Sequence, residues 1–214
     1  MRLEDFDTGT TYSARVLSSQ RITPESSSEE VREIVLEVER EHFAYEPGQS
    51  IGVVVSGEHA QGHKHHFRLY SVADTSPAAN GGRPQVTLCV KRCNYIDEYS
   101  GERYEGISSN FLCDRREGDT VTINGPFGIP FEVPEDKDTD LLLIGMGTGI
   151  APFRALIKHI YQDVGDYRGK VRLFYGARSG LELLYMNEEK DDFSQYYDQA
   201  TFEAFKALSP RPNW

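Results

Sequence analysis

The sequence changes its pattern at residues 134–140, a polar, proline-containing stretch. Before it, short segments of alternating or β-branched residues are separated by Gly, Pro, Asn or Asp, which predicts an antiparallel barrel or sandwich. After it come an apolar run, a glycine loop, a segment of helical spacing and a second apolar run. That order indicates the opening of a parallel α/β sheet. The stretch is interpreted as a linker between a domain in residues 1–134 and another in residues 135–214.

The predicted elements follow from the hydrophobic spacing. In the first part, the segments predicted as strands are residues 11–18, 31–38, 49–55, 66–73, 85–91 and 120–124. In the second part, residues 141–144 are all apolar, which is typical of a strand buried on both faces. Residues 151–161 have helical spacing, residues 171–175 are the next strand, and the acidic tail of residues 181–208 is expected to be helical.

Composition narrows the class of partner and the compartment. The 214 residues carry 23 Lys and Arg against 34 Asp and Glu, a formal net charge of −11. Such a charge argues against nucleic acid or an anionic membrane surface as the main partner. No apolar run approaches the roughly 18 residues that a membrane span needs, and the three cysteines indicate no disulfide framework. We expect a reduced, cytoplasmic protein without a membrane span.

The glycine loop is the first segment that indicates chemistry. Gly145, Gly147 and Gly149 directly follow the apolar run, with Thr148 between the last two. Glycines allow a sharp turn and a close approach of the backbone to a phosphate, which the start of the next helix can then bind. The spacing G-x-G-x-G differs from the usual dinucleotide fingerprint, so a plain tight turn between strand and helix stays an alternative.

Three earlier segments carry polar groups suited to a nucleotide. Arg68, Tyr70 and Ser71 share one predicted strand, where they offer a cation, a flat ring and a hydroxyl. Residues 88–92 bring two cations to a strand end, and residues 106–110 place serines after a glycine. Taken singly, these segments are equally compatible with an ordinary polar strand and with a simple helix cap.

The order of the motifs is more specific than any one of them. Arg68-x-Tyr-Ser, Cys89-Val-Lys-Arg, Gly106-x-Ser-Ser-Asn-Phe-Leu-Cys-Asp, Gly125-Pro-Phe-Gly and Gly145-x-Gly-Thr-Gly-Ile-Ala-Pro-Phe-Arg occur in that sequence. From about residue 10 to about residue 190, this arrangement resembles the plant-type ferredoxin–NADP⁺ reductase family. The resemblance implies an antiparallel Greek-key β-barrel that binds FAD, followed by a partial parallel α/β domain that binds NADP(H).

The resemblance also implies roles for individual residues. Arg68 would bind the FAD pyrophosphate, Tyr70 would stack on the isoalloxazine, and Ser71 would lie near flavin N5 as the catalytic residue that assists hydride exchange. Thr148 would bridge the two dinucleotides, and Arg178 would meet a phosphate. The complete set of implied cofactor-binding residues is Arg68, Leu69, Tyr70, Ser71, Cys89, Val90, Lys91, Tyr95, Gly106, Ile107, Ser108, Ser109, Gly145, Gly147, Thr148, Gly149, Ala177 and Arg178.

The function that the resemblance implies is electron transfer between NADP(H) and a one-electron carrier such as ferredoxin or flavodoxin. Alternatives are the reductase component of an oxygenase or epoxidase and a flavin-binding fragment without full catalytic competence. A segment with five cations against Asp74 could steer an acidic carrier or serve cofactor phosphates; its cations are Lys64, Arg68, Arg83, Lys91 and Arg92. The preference for NADPH or NADH, the carrier and the oligomeric state stay open.

Two departures from the family pattern affect these expectations. Ser108 stands where the family often has cysteine, which should keep the hydrogen bonding. Nothing in the chain matches the family's C-terminal Cys-Gly pair or its terminal aromatic residue, so residues 135–214 are expected to form an incomplete domain. His59, His63, His65 and His66 lack the fixed spacing of a metal site, and no metal is expected.

Overall fold

The computed structural model describes residues 9–57, 65–75 and 82–209. The strands before the linker are β1 (Tyr12–Arg21), β2 (Val31–Val38), β3 (Ser50–Ser56), β4 (His65–Ser71), β5 (Gln85–Lys91), β6 (Asn94–Ile96), β7 (Arg103–Glu105) and β8 (Thr120–Phe127). Helix α1 (Ile107–Cys113) lies between β7 and β8. Six strands form one antiparallel sheet in the order β4-β3-β8-β1-β2-β5, and β6 and β7 form a separate hairpin.

The six-stranded sheet curls into the predicted barrel. Along β2, Ile34, Leu36 and Val38 are completely buried, as the alternating pattern requires when one face of a strand points into a core. A bridge between Val72 and Leu88 brings the end of β4 to β5, the two outer strands of the sheet. This contact closes the edges against each other, and the antiparallel barrel expected from the sequence is confirmed.

The part after the linker is a parallel sheet with one covering helix. Strand β9 (Leu141–Met146), helix α2 (Ala151–Lys158), β10 (Val171–Ala177) and β11 (Phe202–Leu208) follow in chain order. Helix α2 continues as a π-helical segment through His159–Val164. The strands pair in the parallel order β11-β10-β9. The predicted strand–loop–helix–strand unit is confirmed, while the boundary between residues 134 and 135 stays a prediction.

One face of β9 contradicts the expected burial on both sides. Leu142, Ile144 and Met146 are 62%, 67% and 76% exposed, although Leu143 on the opposite face is buried. On the same exposed side of the sheet, Phe174 stacks on Phe205 with ring centroids 4.6 Å apart. An apolar run shows that both faces of a strand are suited to burial. It does not show which element packs on each face. Within the described residues, the exposed face has no covering helix.

The expected helical tail is also wrong. Residues 181–208 contain the end of one 3₁₀ turn, Gly180–Glu182, a second turn, Ser194–Tyr196, and then strand β11. Strand β11 pairs in parallel with β10 from Val171 opposite Phe202 onwards. The partner of this strand lies about thirty residues earlier in the chain, so local periodicity does not reveal the pairing.

A buried ion cluster joins α2 to the barrel. The Arg154 side chain is 7% exposed and contacts Asp192 at 2.6 Å, Asp74 at 3.1 Å and Glu33 at 3.7 Å. It also donates a hydrogen bond to the carbonyl of Ala73 at 2.5 Å. Lys158 pairs with Asp74 and Lys190 with Glu33, so the cluster has as many cations as carboxylates. Since a buried charge is costly unless paired, this cluster holds the helix in one position against the barrel.

The cluster predicts a large effect of replacing its central cation. Arg154→Met keeps an unbranched apolar side chain but leaves three carboxylates without their shared guanidinium. We expect the free energy of unfolding to fall by about 2–4 kcal/mol, measured by urea unfolding followed by circular dichroism. The matched control is Arg168→Met, because the ion pair of Arg168 with Asp138 is exposed; a similar loss in both variants would contradict the importance of the cluster.

Candidate functional site

A cavity of about 660 Å³ lies where the barrel, α1 and the glycine loop meet. Thirteen of the predicted site residues line it: Arg68, Leu69, Tyr70, Ser71, Cys89, Lys91, Tyr95, Gly106, Ile107, Ser108, Ser109, Thr148 and Gly149. These residues come from four separate segments of the chain. The fold therefore brings together groups that the sequence shows only as an ordered series.

The end of β4 forms one wall of the cavity. Burial raises the pKa of Tyr70 to about 12, against a smaller opposing effect of the nearby Arg68 guanidinium. The Tyr70 hydroxyl therefore stays protonated at physiological pH. Arg68 is exposed, and its guanidinium makes no hydrogen bond or ion pair with the described residues. Ser71 Oγ lies 3.5 Å from Ser50 Oγ on β3, so this wall offers a cation, a half-buried ring and a hydroxyl.

The start of α1 forms the second wall. A Cβ added at Gly106 would lie 2.9 Å from the Cys93 carbonyl oxygen, so only glycine fits there. Ser109 Oγ accepts a hydrogen bond from the Cys93 N–H at 3.2 Å and donates one to the Gly106 carbonyl at 3.3 Å. Asn110 Nδ2 donates hydrogen bonds to the carbonyls of both Cys93 and Gly106. Ser109 and Asn110 thus hold the loop that presents the neighbouring Ser108.

The glycine loop forms the third wall. Gly147 has φ = +52°, a conformation that favours glycine, and a Cβ at Gly145 would lie 3.1 Å from the Phe153 ring. The buried Tyr175 hydroxyl donates to the Gly147 carbonyl at 3.0 Å and accepts from the Leu184 N–H at 3.1 Å. The Tyr175 hydroxyl therefore anchors the glycine loop, while Thr148 and Gly149 face the cavity.

The β6–β7 hairpin provides a stacking surface at the cavity edge. Tyr95 is 58% exposed and stacks on Tyr104 with centroids 5.4 Å apart and planes inclined by 20°. Tyr104 in turn donates a hydrogen bond to Glu102 at 2.6 Å. The sequence reasoning identified Tyr95 and missed Tyr104, whose signal is its position opposite Tyr95 in the hairpin.

Five predicted residues do not line the cavity: Val90, Gly145, Gly147, Ala177 and Arg178. Val90 is completely buried in the barrel core. Ala177 ends β10, and Arg178 follows it and pairs with Glu29 at 3.2 Å. Lining residues that the sequence reasoning did not select are His66, Cys93, Glu105 and Ala151. His59 and His63 lie outside the described residues.

The lining suits a large ligand with a flat ring and phosphate groups. Ser108 Oγ is buried next to the Tyr70 hydroxyl and has no partner that meets hydrogen-bond geometry, which leaves a donor for a ligand. A Cβ at Gly147 or Gly149 would meet nothing within 4 Å, so the backbone of this loop is open to a ligand. With Arg68 beside these groups, the residues present fit an FAD molecule.

The comparisons with known proteins agree with this geometry. Residues 143–214 match the family described as "Oxidoreductase NAD-binding domain". The sequence is 39% identical over 180 residues, 83% of this chain, to ferredoxin–NADP reductase, leaf isozyme 1, chloroplastic, of Arabidopsis thaliana. It is 36% identical over 198 residues, 91% of this chain, to the chloroplastic ferredoxin–NADP reductase of Spinacia oleracea. The resemblance stated from the motifs is confirmed.

The fold is likewise shared with a solved structure. Ferredoxin–NADP⁺ reductase from Plasmodium falciparum superposes with a TM-score of 0.75 at 20% identity, over 97% of this chain and 73% of that chain. At this identity the match shows the fold alone. The chain spans about half the length of the curated relatives it matches, 49% and 52% for the Arabidopsis and spinach proteins.

The environments of the cysteines predict selective labelling. Burial raises the pKa of both the Cys89 and the Cys113 thiol to about 12, whereas Cys93 is exposed. At pH 8 about 10⁻⁴ of each buried thiol is ionised, and the thiolate is the reactive form. We expect iodoacetamide at pH 8 to modify Cys93 alone in the native protein and all three cysteines in urea, as read by mass spectrometry. Cys93→Ser should abolish native labelling; rapid labelling of Cys89 would contradict its burial.

Proposed function

We propose that the chain, which over the part that it spans is similar to plant-type ferredoxin–NADP reductases, is an FAD-dependent oxidoreductase. Its proposed reaction moves electrons between NADP(H) and a one-electron carrier such as ferredoxin or flavodoxin. The observation that carries the proposal is the cavity in which the end of β4, the start of α1 and the glycine loop converge. These three segments carry three of the five ordered motifs, and Cys89 and Lys91 of a fourth motif also line the cavity.

The barrel residues are proposed to bind and orient FAD. Arg68 pairs with its pyrophosphate, to which Ser108 donates a hydrogen bond, and the half-buried Tyr70 ring packs against its flat ring system. The stacked pair of Tyr95 and Tyr104 supports the adenine. FAD supplies hydride chemistry toward a nicotinamide and single-electron chemistry toward a carrier.

Ser71 and Thr148 are proposed to act where the two dinucleotides meet. Ser71 lies at the end of β4, and its hydroxyl would donate a hydrogen bond at flavin N5. Thr148 faces the same cavity from the glycine loop, where it orients the nicotinamide. Both hydroxyls stand on anchored backbone, since β4 pairs with β3 and the Tyr175 hydroxyl binds the glycine loop. Anchored groups lose little orientational freedom when the substrate binds.

The carrier is proposed to be acidic. The support is that the relatives are named for ferredoxin; Arg68 is proposed above to pair with the FAD pyrophosphate and therefore does not count as a cation for the carrier. The basic segment is smaller in the structure than the sequence suggests, because Lys91 pairs with Glu29 and Arg92 with Glu30 and Asp114. Lys64 lies outside the described residues. The cytoplasmic location stays a prediction.

FAD binding is the first test of the proposal. The purified chain titrated with FAD should quench the flavin fluorescence, and Arg68→Met should weaken the affinity about tenfold or more because it removes a charge-assisted hydrogen bond. The control is Arg116→Met, an exposed arginine that does not line the cavity. If the native chain fails to bind FAD, the proposed function is wrong.

Activity separates the proposal from its alternatives. The FAD-loaded chain should reduce ferricyanide with NADPH, and Ser71→Ala should lower kcat about tenfold or more while leaving FAD affinity within about twofold, since its hydroxyl acts at the reacting atoms. FAD binding without turnover would favour a flavin-binding fragment, in keeping with the half-length match to relatives. Faster electron transfer to an oxygenase component than to ferredoxin would favour the oxygenase reductase.

A further inference from the structure

A single carboxylate connects two cations that stand on different parts of the fold. Glu29 Oε2 lies 2.9 Å from Lys91 Nζ, and Glu29 Oε1 lies 3.2 Å from the Arg178 guanidinium. Glu29 comes just before β2 in the barrel, whereas Arg178 follows β10 and is 149 residues away in sequence. The carboxylate therefore bridges the barrel and the carboxyl end of the parallel sheet.

The loop that presents Glu29 is firmly built. The Glu29 carbonyl accepts a hydrogen bond from Thr23 Oγ1 at 2.7 Å, and the Glu29 N–H donates one to Ser27 Oγ at 3.2 Å. The Arg21 guanidinium donates to the carbonyls of Thr23 at 3.0 Å, Ser27 at 3.0 Å and Pro24 at 3.1 Å. These hydrogen bonds fix the backbone of the loop, and they therefore fix the position from which the Glu29 side chain extends.

The two cations stand where an anionic dinucleotide is expected. Lys91 lines the cavity, and Arg178 lies beyond the carboxyl end of β10, the edge at which open α/β sheets bind dinucleotides. A phosphate that pairs with either cation must share it with Glu29 or replace Glu29. Because a carboxylate and a phosphate repel each other, the charge of Glu29 opposes binding of the phosphate.

We propose that Glu29 competes with the phosphate groups of the pyridine dinucleotide for Lys91 and Arg178. The inference rests on the proposed function and adds to it a limit on dinucleotide affinity. Such a limit favours release of the dinucleotide after each turnover, a step that often sets the rate of an enzyme. The pyridine dinucleotide is favoured over FAD because Arg178 belongs to the parallel sheet, while the predicted FAD residues lie on the barrel and α1.

The test is Glu29→Gln in the full chain, which removes the charge and keeps the shape. Isothermal titration with NADP⁺, and separately with inorganic pyrophosphate, should show about three- to tenfold tighter binding than in the native chain, as expected for two partly exposed ion pairs. The affinity for NADP⁺ should also fall more steeply with added salt, because the net attraction is larger. The affinity for FAD should change by less than about twofold.

The matched control is Glu37→Gln, which makes the same change of net charge. Glu37 pairs with Arg15 at 3.0 Å on the barrel and lies about 20 Å from Val31 along β2 at the usual rise per residue of a strand. Its removal should leave NADP⁺ and pyrophosphate affinity unchanged. In an Arg178→Gln background the gain from Glu29→Gln should shrink, since one of the two contested cations is then absent.

Three results would overturn the inference: equal anion affinity in native and Glu29→Gln chains, weaker binding in the variant, or an equal gain in the Glu37→Gln control. Weaker binding would mean that Glu29 serves only to position Lys91 and Arg178. A tighter affinity for FAD alone would assign the contested phosphate to FAD and likewise overturn it. If the chain fails to bind FAD but Glu29→Gln still binds pyrophosphate more tightly, the proposed function fails and the competition by Glu29 stands.

Discussion

The arrangement of the candidate site depends on one buried guanidinium. Arg154 is paired with carboxylates from the barrel and from the segment after β10, and it also binds the carbonyl of Ala73. Ala73 closely follows Ser71 on one wall of the cavity, and Arg154 stands in the helix that follows the glycine loop on the opposite wall. Since these buried charges must remain paired, the contact that stabilises the interface also sets the distance between the two walls.

Around that contact, the site combines anchored backbone with side chains left available for a ligand. The hydroxyls of Ser109 and Tyr175 are used to hold loops, whereas Ser108 and Arg68 remain for the ligand. Near the edge of the cavity, Lys91 and Arg178 share Glu29. A site for anions that also contains a competing carboxylate can bind a dinucleotide and still release it, which suits the proposed reaction, in which NADP(H) is exchanged and FAD is retained.

The sequence predictions were accurate for features that depend on residues close together in the chain. They failed for features that depend on residues far apart in the chain. The bounds of β2 and β5 were predicted to the residue: those of β2 from the alternation of its apolar side chains, and those of β5 from the turn residues that bound it. Strand β11 and the exposed face of β9 were missed, because each depends on elements distant in the chain. Likewise, Tyr95 could be selected from the family resemblance, while Tyr104 became visible only as its partner across the hairpin.

The sequence by itself determined the classes of the two sheets, the resemblance to a known family and most residues of the cavity, since periodicity and ordered motifs are properties of neighbouring residues. Only the tertiary structure decided how those residues are used. It showed that Ser109 closes its own loop, that one face of the parallel sheet is exposed in the described part of the chain, and that Glu29 lies between Lys91 and Arg178. The contact between Glu29 and Arg178 joins residues 149 positions apart, and its geometry arises from packing, which no local pattern encodes.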